Sequence, residues 1–244
     1  MRLAGLYDIH GNLPALEAVL AEVRSEQPDA IVIGGDVVPG PMPRECLDLL
    51  RSCKIPAHFI PGNGERVTLA QRQGVEPTEV PEAFRDVIRW NAEQLTDENA
   101  RWIGSWPKTL SLENVLFCHA SPRNDVDVFT RLTPEEKVAP LLASVREHTV
   151  VCGHTHMQYD RMIGNIRVVN AGSVGMPFQG TGAFWFLLSP EVELRRTEYD
   201  LEVAAERIRA TAYPQAETFA EKNVLHPPTE EQMLAAYANV ALKF

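Results

Sequence analysis

Short apolar runs alternate with amphipathic stretches along the first half of the chain. Runs such as "LAGLY", "AIVI" and "VLFC" are too short for helices and read as buried strands. The pattern predicts strands over Leu3–Tyr7, Ala30–Ile33, His58–Ile60, Val115–Cys118, Val150–Cys152, Arg167–Val169, Ala183–Leu188 and Glu193–Thr197. After the first of these, Leu13, Leu16, Leu20 and Val23 recur at helical spacing, with Asn12 as the cap and Pro14 in the first turn. Further helices are predicted over Arg44–Arg51, Glu65–Gln73, Glu82–Leu95, Asp97–Gly104 and Pro134–Glu147. Strand and helix alternate at the front, while the later strands follow one another closely. That order predicts an α/β fold with mixed sheets.

From Asp200 onward the pattern is helical. Asp200 caps a helix running through Arg209, and Thr229 with Gln232 forms a capping box after two prolines. Residues 1–199 are therefore expected to form the main body and residues 200–244 a structural helical appendage of the same domain. The chain has 244 residues, of which 45% are hydrophobic and 23% charged, so one large domain accommodates it. No run approaches the roughly 20 apolar residues of a membrane helix. The opening residues read as the first strand and not as a signal peptide, so a cytoplasmic protein without membrane partners is expected.

The four cysteines, Cys46, Cys53, Cys118 and Cys152, show no C-x-x-C spacing, which argues against a thiolate metal site and for free thiols. A net charge of −10 without a long basic stretch argues against grip on extended nucleic acid. A small anionic substrate requires a locally added cation.

Histidines and carboxylates supply the means to hold one. Asp8 and His10 follow the first strand, Asp36 the second, Asn63 the third, His119 the run "VLFC", and His154 with His156 the run "VVC". Ligands gather outside the carboxyl ends of strands in open α/β sheets. Seven metal-competent side chains delivered there exceed what one tetrahedral ion needs, and they suffice for two divalent ions if a carboxylate bridges. Imidazole, carboxylate and amide oxygen without thiolate suit manganese, iron or zinc at a catalytic site. With only Asp8 and Asp36 anionic, two such ions would leave the cluster at about +2, a magnet for phosphate on an acidic protein. His58, His148 and His226 lack this placement and read as ordinary residues.

The blocks "DIHGN", "GGD", "PGNGE", "CHASP" and "CGHTH", in that order, resemble the signature blocks of the calcineurin-like metallophosphoesterase superfamily. "NAGSVGMP" and "RWNAEQLTDENARWIGSWP" resemble its small prokaryotic predicted-phosphodiesterase branch. The resemblance implies a four-layer α-β-β-α sandwich of two mixed sheets flanked by helices. It also implies that Asp8, His10, Asp36 and His156 hold one ion and that Asp36, Asn63, His119 and His154 hold the other, with Asp36 bridging. A hydroxide bridging the two ions would then attack a small phosphorylated substrate, such as a nucleotide diester. A phosphomonoesterase, a dinucleoside-polyphosphate hydrolase and a non-catalytic scaffold are the alternative readings the family offers.

The chain departs from better-known members in one place that matters. Many carry a histidine, taken to protonate the leaving group, directly after the metal-binding asparagine; here that position is Gly64. The sequence leads one to expect that Gly64→His would restore some activity on poor leaving groups, provided the added imidazole reaches the ester oxygen. Tyr7 and Ala120 are milder departures, where serine and glycine are usual. Asn12, Arg66 and Arg123 are the candidate substrate-binding residues, the arginines as bidentate phosphate clamps. Ser173 lacks a nucleophile's context and is expected to lie beneath the site as a structural residue.

Overall fold

The computed structural model describes residues 1–238 and 240. Its elements run β1 (Leu3–Leu6), α1 (Leu13–Glu26), β2 (Ala30–Ile33), α2 (Pro43–Arg51), β3 (Ala57–Phe59), α3 (Asn63–Arg72), α4 (Glu82–Gln94) and α5 (Asp97–Ile103). There follow β4 (Thr109–Leu112), β5 (Val115–Cys118), α6 (Glu135–Val138), β6 (Thr149–Cys152), β7 (Tyr159–Ile163), β8 (Ile166–Asn170), β9 (Ala183–Leu188) and β10 (Val192–Thr197). The chain closes with α7 (Leu201–Arg209), α8 (Ala216–Phe219), which continues as a π-helical stretch to Leu225, and α9 (Glu230–Tyr237). Among the described residues no helix is long and apolar enough to cross a membrane.

The strands form two mixed five-stranded sheets, in the orders β10-β9-β1-β2-β3 and β4-β5-β6-β8-β7. Strand alternation explains how they stack. Leu3, Val32, Phe186, Val115, Phe117, Val151 and Val169 point into one shared core between the sheets. The alternate residues of the first sheet, among them Leu6, Ile31 and Trp185, lie under α1 and α2. Those of the second sheet, among them Leu116, Val150 and Val168, lie under α6 and the 3₁₀ turn Ala139–Leu142. Strands covered on both faces must be apolar throughout, which is why they read as continuous runs. The four-layer α/β sandwich expected from the resemblance is the architecture observed. A fourth cluster joins α7, α8 and the π-helical stretch to Met42 and to Val87 of α4.

The structure corrects the predicted helix over Pro134–Glu147. Pro140 has no N–H to continue the ladder, so α6 gives way to the 3₁₀ turn and stops. Strands β4 and β7 add to those the pattern predicts. Both lie at sheet edges, and β7 buries Tyr159 and Ile163 while exposing Asp160 and Met162, a thin signal of alternation.

Gly5 sits opposite Phe186, and a Cβ on it would fall 1.9 Å from that ring. Phe186 in turn stacks on Phe117 of the other sheet, with ring centroids 6.3 Å apart. Replacing Gly5 by alanine therefore overpacks the contact between the sheets. Gly5→Ala is expected to cost about 1–3 kcal/mol, read as a lower urea midpoint at unchanged slope.

Candidate metal centre

All seven side chains singled out for metal binding follow closely on strands. Asp8 and His10 follow β1, Asp36 follows β2, Asn63 opens α3 after β3, His119 follows β5, and His154 with His156 follows β6. β1, β2 and β3 run parallel to one another, as do β5 and β6, so each sheet releases its loops at one end. The first sheet thus supplies four of the residues and the second sheet three.

Five of them adopt left-handed backbone: Asp8 (φ 53°), His10 (φ 47°), Asp36 (φ 53°), His154 (φ 65°) and His156 (φ 58°). For an L-residue this costs on the order of 1 kcal/mol each, and such residues gather at functional sites. Backbone hydrogen bonds hold them there. Asp8 N–H donates to Gly35 O at 3.0 Å, His10 N–H to Asp36 O at 2.8 Å and Gly11 N–H to Val37 O at 2.9 Å, extending the β1–β2 pairing into the loops. Between sheets, His119 Nδ1 donates to Gly34 O at 2.9 Å, and His154 N–H donates to Asp8 Oδ2 at 2.9 Å.

The histidine tautomers follow from their partners. His10 Nδ1 meets Pro39 O at 3.1 Å and His156 Nδ1 meets Met176 O at 2.7 Å, as His119 Nδ1 meets Gly34 O. A carbonyl only accepts, so each Nδ1 carries the proton and each Nε2 turns a lone pair inward. The inward atoms crowd together. His10 Nε2 and His156 Nε2 are 3.2 Å apart, and His119 Nε2 is 3.1 Å from Asn63 Oδ1. Asp36 Oδ2 lies 3.6 Å from both His10 Nε2 and His119 Nε2. Asp8 Oδ1 lies 3.2 Å from His156 Nε2, 3.9 Å from His119 Nε2 and 4.0 Å from His10 Nε2, and it is buried without a hydrogen-bond partner.

Acceptors that face one another without a donor need a cation between them. Among the described residues two groups satisfy the spacing for one: Asp8, His10 and His156, and Asp8, Asp36 and His119. The residues present therefore fit divalent metal, with Asp8 common to both groups. Both carboxylates lie between the groups, Asp36 through Oδ2 and Asp8 through Oδ1. His154 stands at the margin, its ring centroid 5.2 Å from that of His119.

Burial and neighbouring charge pull the members of the cluster in different directions. Burial pushes His10 and His154 down to about 3, so both are neutral donors of a lone pair at ordinary pH. Burial would also raise Asp8, but His156, His119 and His10 hold it well below the usual carboxylate range. Asp36 is driven up to about 7 by burial, with Glu65 and Asp8 adding to the rise against the pull of His119. Burial lowers His119, and Asp36 with Asp8 more than reverses it.

Sequence reasoning misses the residue that fixes the loops. Glu65, fully buried in α3, accepts from Gly62 N–H at 2.7 Å, Asp36 N–H at 2.8 Å and Val38 N–H at 3.1 Å. The glutamate of "PGNGE" is in plain view, but nothing local shows that two of its partners lie in the loop after β2. Ser173 Oγ donates to Asp8 O at 2.7 Å and accepts from Met176 N–H, so it braces the first loop as expected. Asn170 braces the "GHTH" loop through Gly153 O at 2.7 Å and Thr155 Oγ1 at 3.0 Å.

The candidate substrate-binding residues have other work. Asn12 is fully buried and caps α1, its Oδ1 accepting from Ala15 N–H and its amide donating to Gly175 O. Arg66 pairs with Asp125 and Glu79, and Arg123 with Asp127. Both arginines line a cavity of about 360 Å³ that reaches His119, but the charge each brings is matched by a carboxylate already. His226 is exposed beside Glu221 and belongs to neither group of converging ligand atoms.

Gly64 reverses the expectation placed on it. A Cβ there would lie 2.2 Å from Val38 O, 2.7 Å from Pro39 Cδ and 2.8 Å from Asp36 Oδ1. Its N–H donates to Asp36 Oδ1 at 2.7 Å. Position 64 has no room for a histidine unless the second loop moves.

The family pattern described as "Calcineurin-like phosphoesterase superfamily domain" matches residues 1–191. An uncharacterized protein of Methanocaldococcus jannaschii is 26% identical over 240 residues, covering 87% of this chain and 94% of that one. Among solved structures, a metallophosphoesterase from Sphaerobacter thermophilus has a TM-score of 0.72 at 24% identity, over 92% of this chain and all of that one. A hypothetical protein from Pyrococcus horikoshii OT3 has a TM-score of 0.76 at 20% identity, over 93% of this chain and 99% of that one.

Two substitutions test the bracing. Glu65→Ala leaves three backbone donors buried without an acceptor and is expected to cost about 3 kcal/mol or more, with Glu65→Gln losing less; urea unfolding of both measures it. Gly64→His is expected to lower the melting temperature and the gain in it on adding Mn²⁺, both followed by circular dichroism.

Proposed function

The chain belongs to the calcineurin-like phosphoesterase superfamily, and on that premise we propose that it is a phosphodiesterase of small phosphorylated compounds, nucleotides among them, working with two divalent ions. Hydrolysis of phosphoric esters is the chemistry of the family; the diester, the size of the substrate and the paired ions are the finer reading. The observation that carries it is the convergence of imidazole, carboxylate and amide acceptors on a buried space where Asp8 Oδ1 has no donor. Asp8, His10, Asp36 and His156 hold one ion in this reading. Asp36, Asn63, His119 and His154 hold the other.

Two bound divalent ions supply Lewis acidity that makes water a nucleophile at neutral pH and offsets the phosphoryl charge. The chain's own part is positioning. The three Nδ1–carbonyl bonds fix the imidazole planes, and Gly64 N–H fixes Asp36 Oδ1 so that Oδ2 stays between His10 and His119. α1 and α3 both begin at the site, and the positive ends of their dipoles favour an anion there. The net charge of −10 supports a compact substrate over a long polyanion. Position 64 offers no side-chain acid, so the leaving group must depart with little help from it.

Three outcomes are expected. Protein loaded with Mn²⁺ carries about two ions per chain by elemental analysis; occupancy near zero sinks the reading. Asp36→Ala, which removes the carboxylate shared by both ions, lowers the hydrolysis of bis-p-nitrophenyl phosphate more than alanine at His154. Finally, log rate falls steeply with leaving-group pKa across aryl and alkyl diesters, because general-acid help, typically worth about 10²–10⁴ in rate, is missing. A flat plot would show that another group delivers the proton.

A further inference from the structure

Beside the His10–His156 half of the centre lies a second cavity, of about 660 Å³. That volume is ample for a small organic ligand. Its connection to the centre is direct. His10 is part of its wall, as is Pro39, whose carbonyl holds His10. Met176, whose carbonyl holds His156, and Phe178, whose ring lies 4.5 Å from that of His156, complete the shared boundary. A phosphoryl group at His10 and His156 would therefore lie beside this cavity.

The far walls come from two places in the chain and are largely apolar, with polar side chains such as Gln215, Asn223 and Gln232 set among the apolar ones. α4 contributes Phe84, Val87 and Ile88, and the C-terminal helical segment contributes Tyr213, Phe219 and Met233. Phe84 is 52% exposed although it stands at the mouth of a cavity lined by aromatic rings. An exposed phenyl there is unexplained by burial within the chain. Lys222 lies at the same cavity and brings a positive charge to its wall. The family pattern ends at residue 191, so the C-terminal wall lies outside the residues it matches.

We infer that this cavity is the specificity pocket for the ester group that remains on phosphorus, and that it takes a flat apolar group of aryl or nucleobase size. The inference rests on the reading of the centre as a phosphodiesterase site. It assigns residues 213–233 a substrate-binding role in place of the purely structural one expected of the C-terminal segment.

The test keeps the leaving group constant. With Mn²⁺ bound, phenyl p-nitrophenyl phosphate and methyl p-nitrophenyl phosphate release the same nitrophenolate and differ only in the group that would enter the cavity. Burial of the phenyl ring is expected to favour the first by about tenfold or more in kcat/KM. Phe84→Asp and Met233→Asp, both at positions outside the fully buried core, are expected to bring that ratio to within about twofold, chiefly through KM for the phenyl ester. Equal kcat/KM values for the two esters in the native protein, or a ratio untouched by both substitutions, would overturn the pocket. Equilibrium binding of phenylphosphonate and methylphosphonate by calorimetry asks the same question without turnover. If neither ester is hydrolysed, tighter binding of phenylphosphonate sustains the pocket while the diesterase reading falls, and equal binding removes both.

Discussion

Like partial charges are forced together at the centre of this protein. Lone pairs of His10, His119 and His156, the amide oxygen of Asn63 and oxygens of Asp8 and Asp36 converge with each other at 3.1–4.0 Å. Such a cluster is electrostatically costly on its own and becomes favourable only around positive charge. Much of the surrounding structure serves to keep it assembled. Carbonyls set the imidazole tautomers, Glu65 gathers three amides, and Ser173 and Asn170 tie the third side of the site to the loops.

The left-handed residues belong to the same logic. An extended chain leaving a strand would carry its side chains alternately to either side. Residues two apart, such as Asp8 and His10 or His154 and His156, would thus share a side, and left-handed backbone at all four bends their loops sharply after β1 and β6. Aspartate and histidine tolerate that conformation better than branched residues do. The residue types that chelate are thus also suited to the bends that aim them.

How much of this is legible in the sequence differs by element. The buried strands β1, β2, β5 and β9 announce themselves as apolar runs because both faces are covered, and the seven converging residues stand out because each follows such a run. The edge strands β4 and β7 are not legible, since one side of each is wet and polar or charged residues interrupt them. Glu65 escapes because its role is defined by amides of residues 36 and 38, distant in sequence. Gly64 reads in the sequence as the loss of an acid, yet the carbonyl of Val38 makes it a steric requirement. Asn12, Arg66 and Arg123 are sensible candidates by type, and only their partners reveal that they are already engaged.

The seven converging residues are divided between the two sheets, and those sheets meet across the apolar layer that includes Phe117 on Phe186. Register between the sheets is therefore a catalytic coordinate as well as a matter of stability. A methyl group gained or lost deep in that layer shifts one set of loops against the other by a fraction of an ångström. A change in that layer therefore acts twice, on the packing of the sheets and on the alignment of the loops they carry.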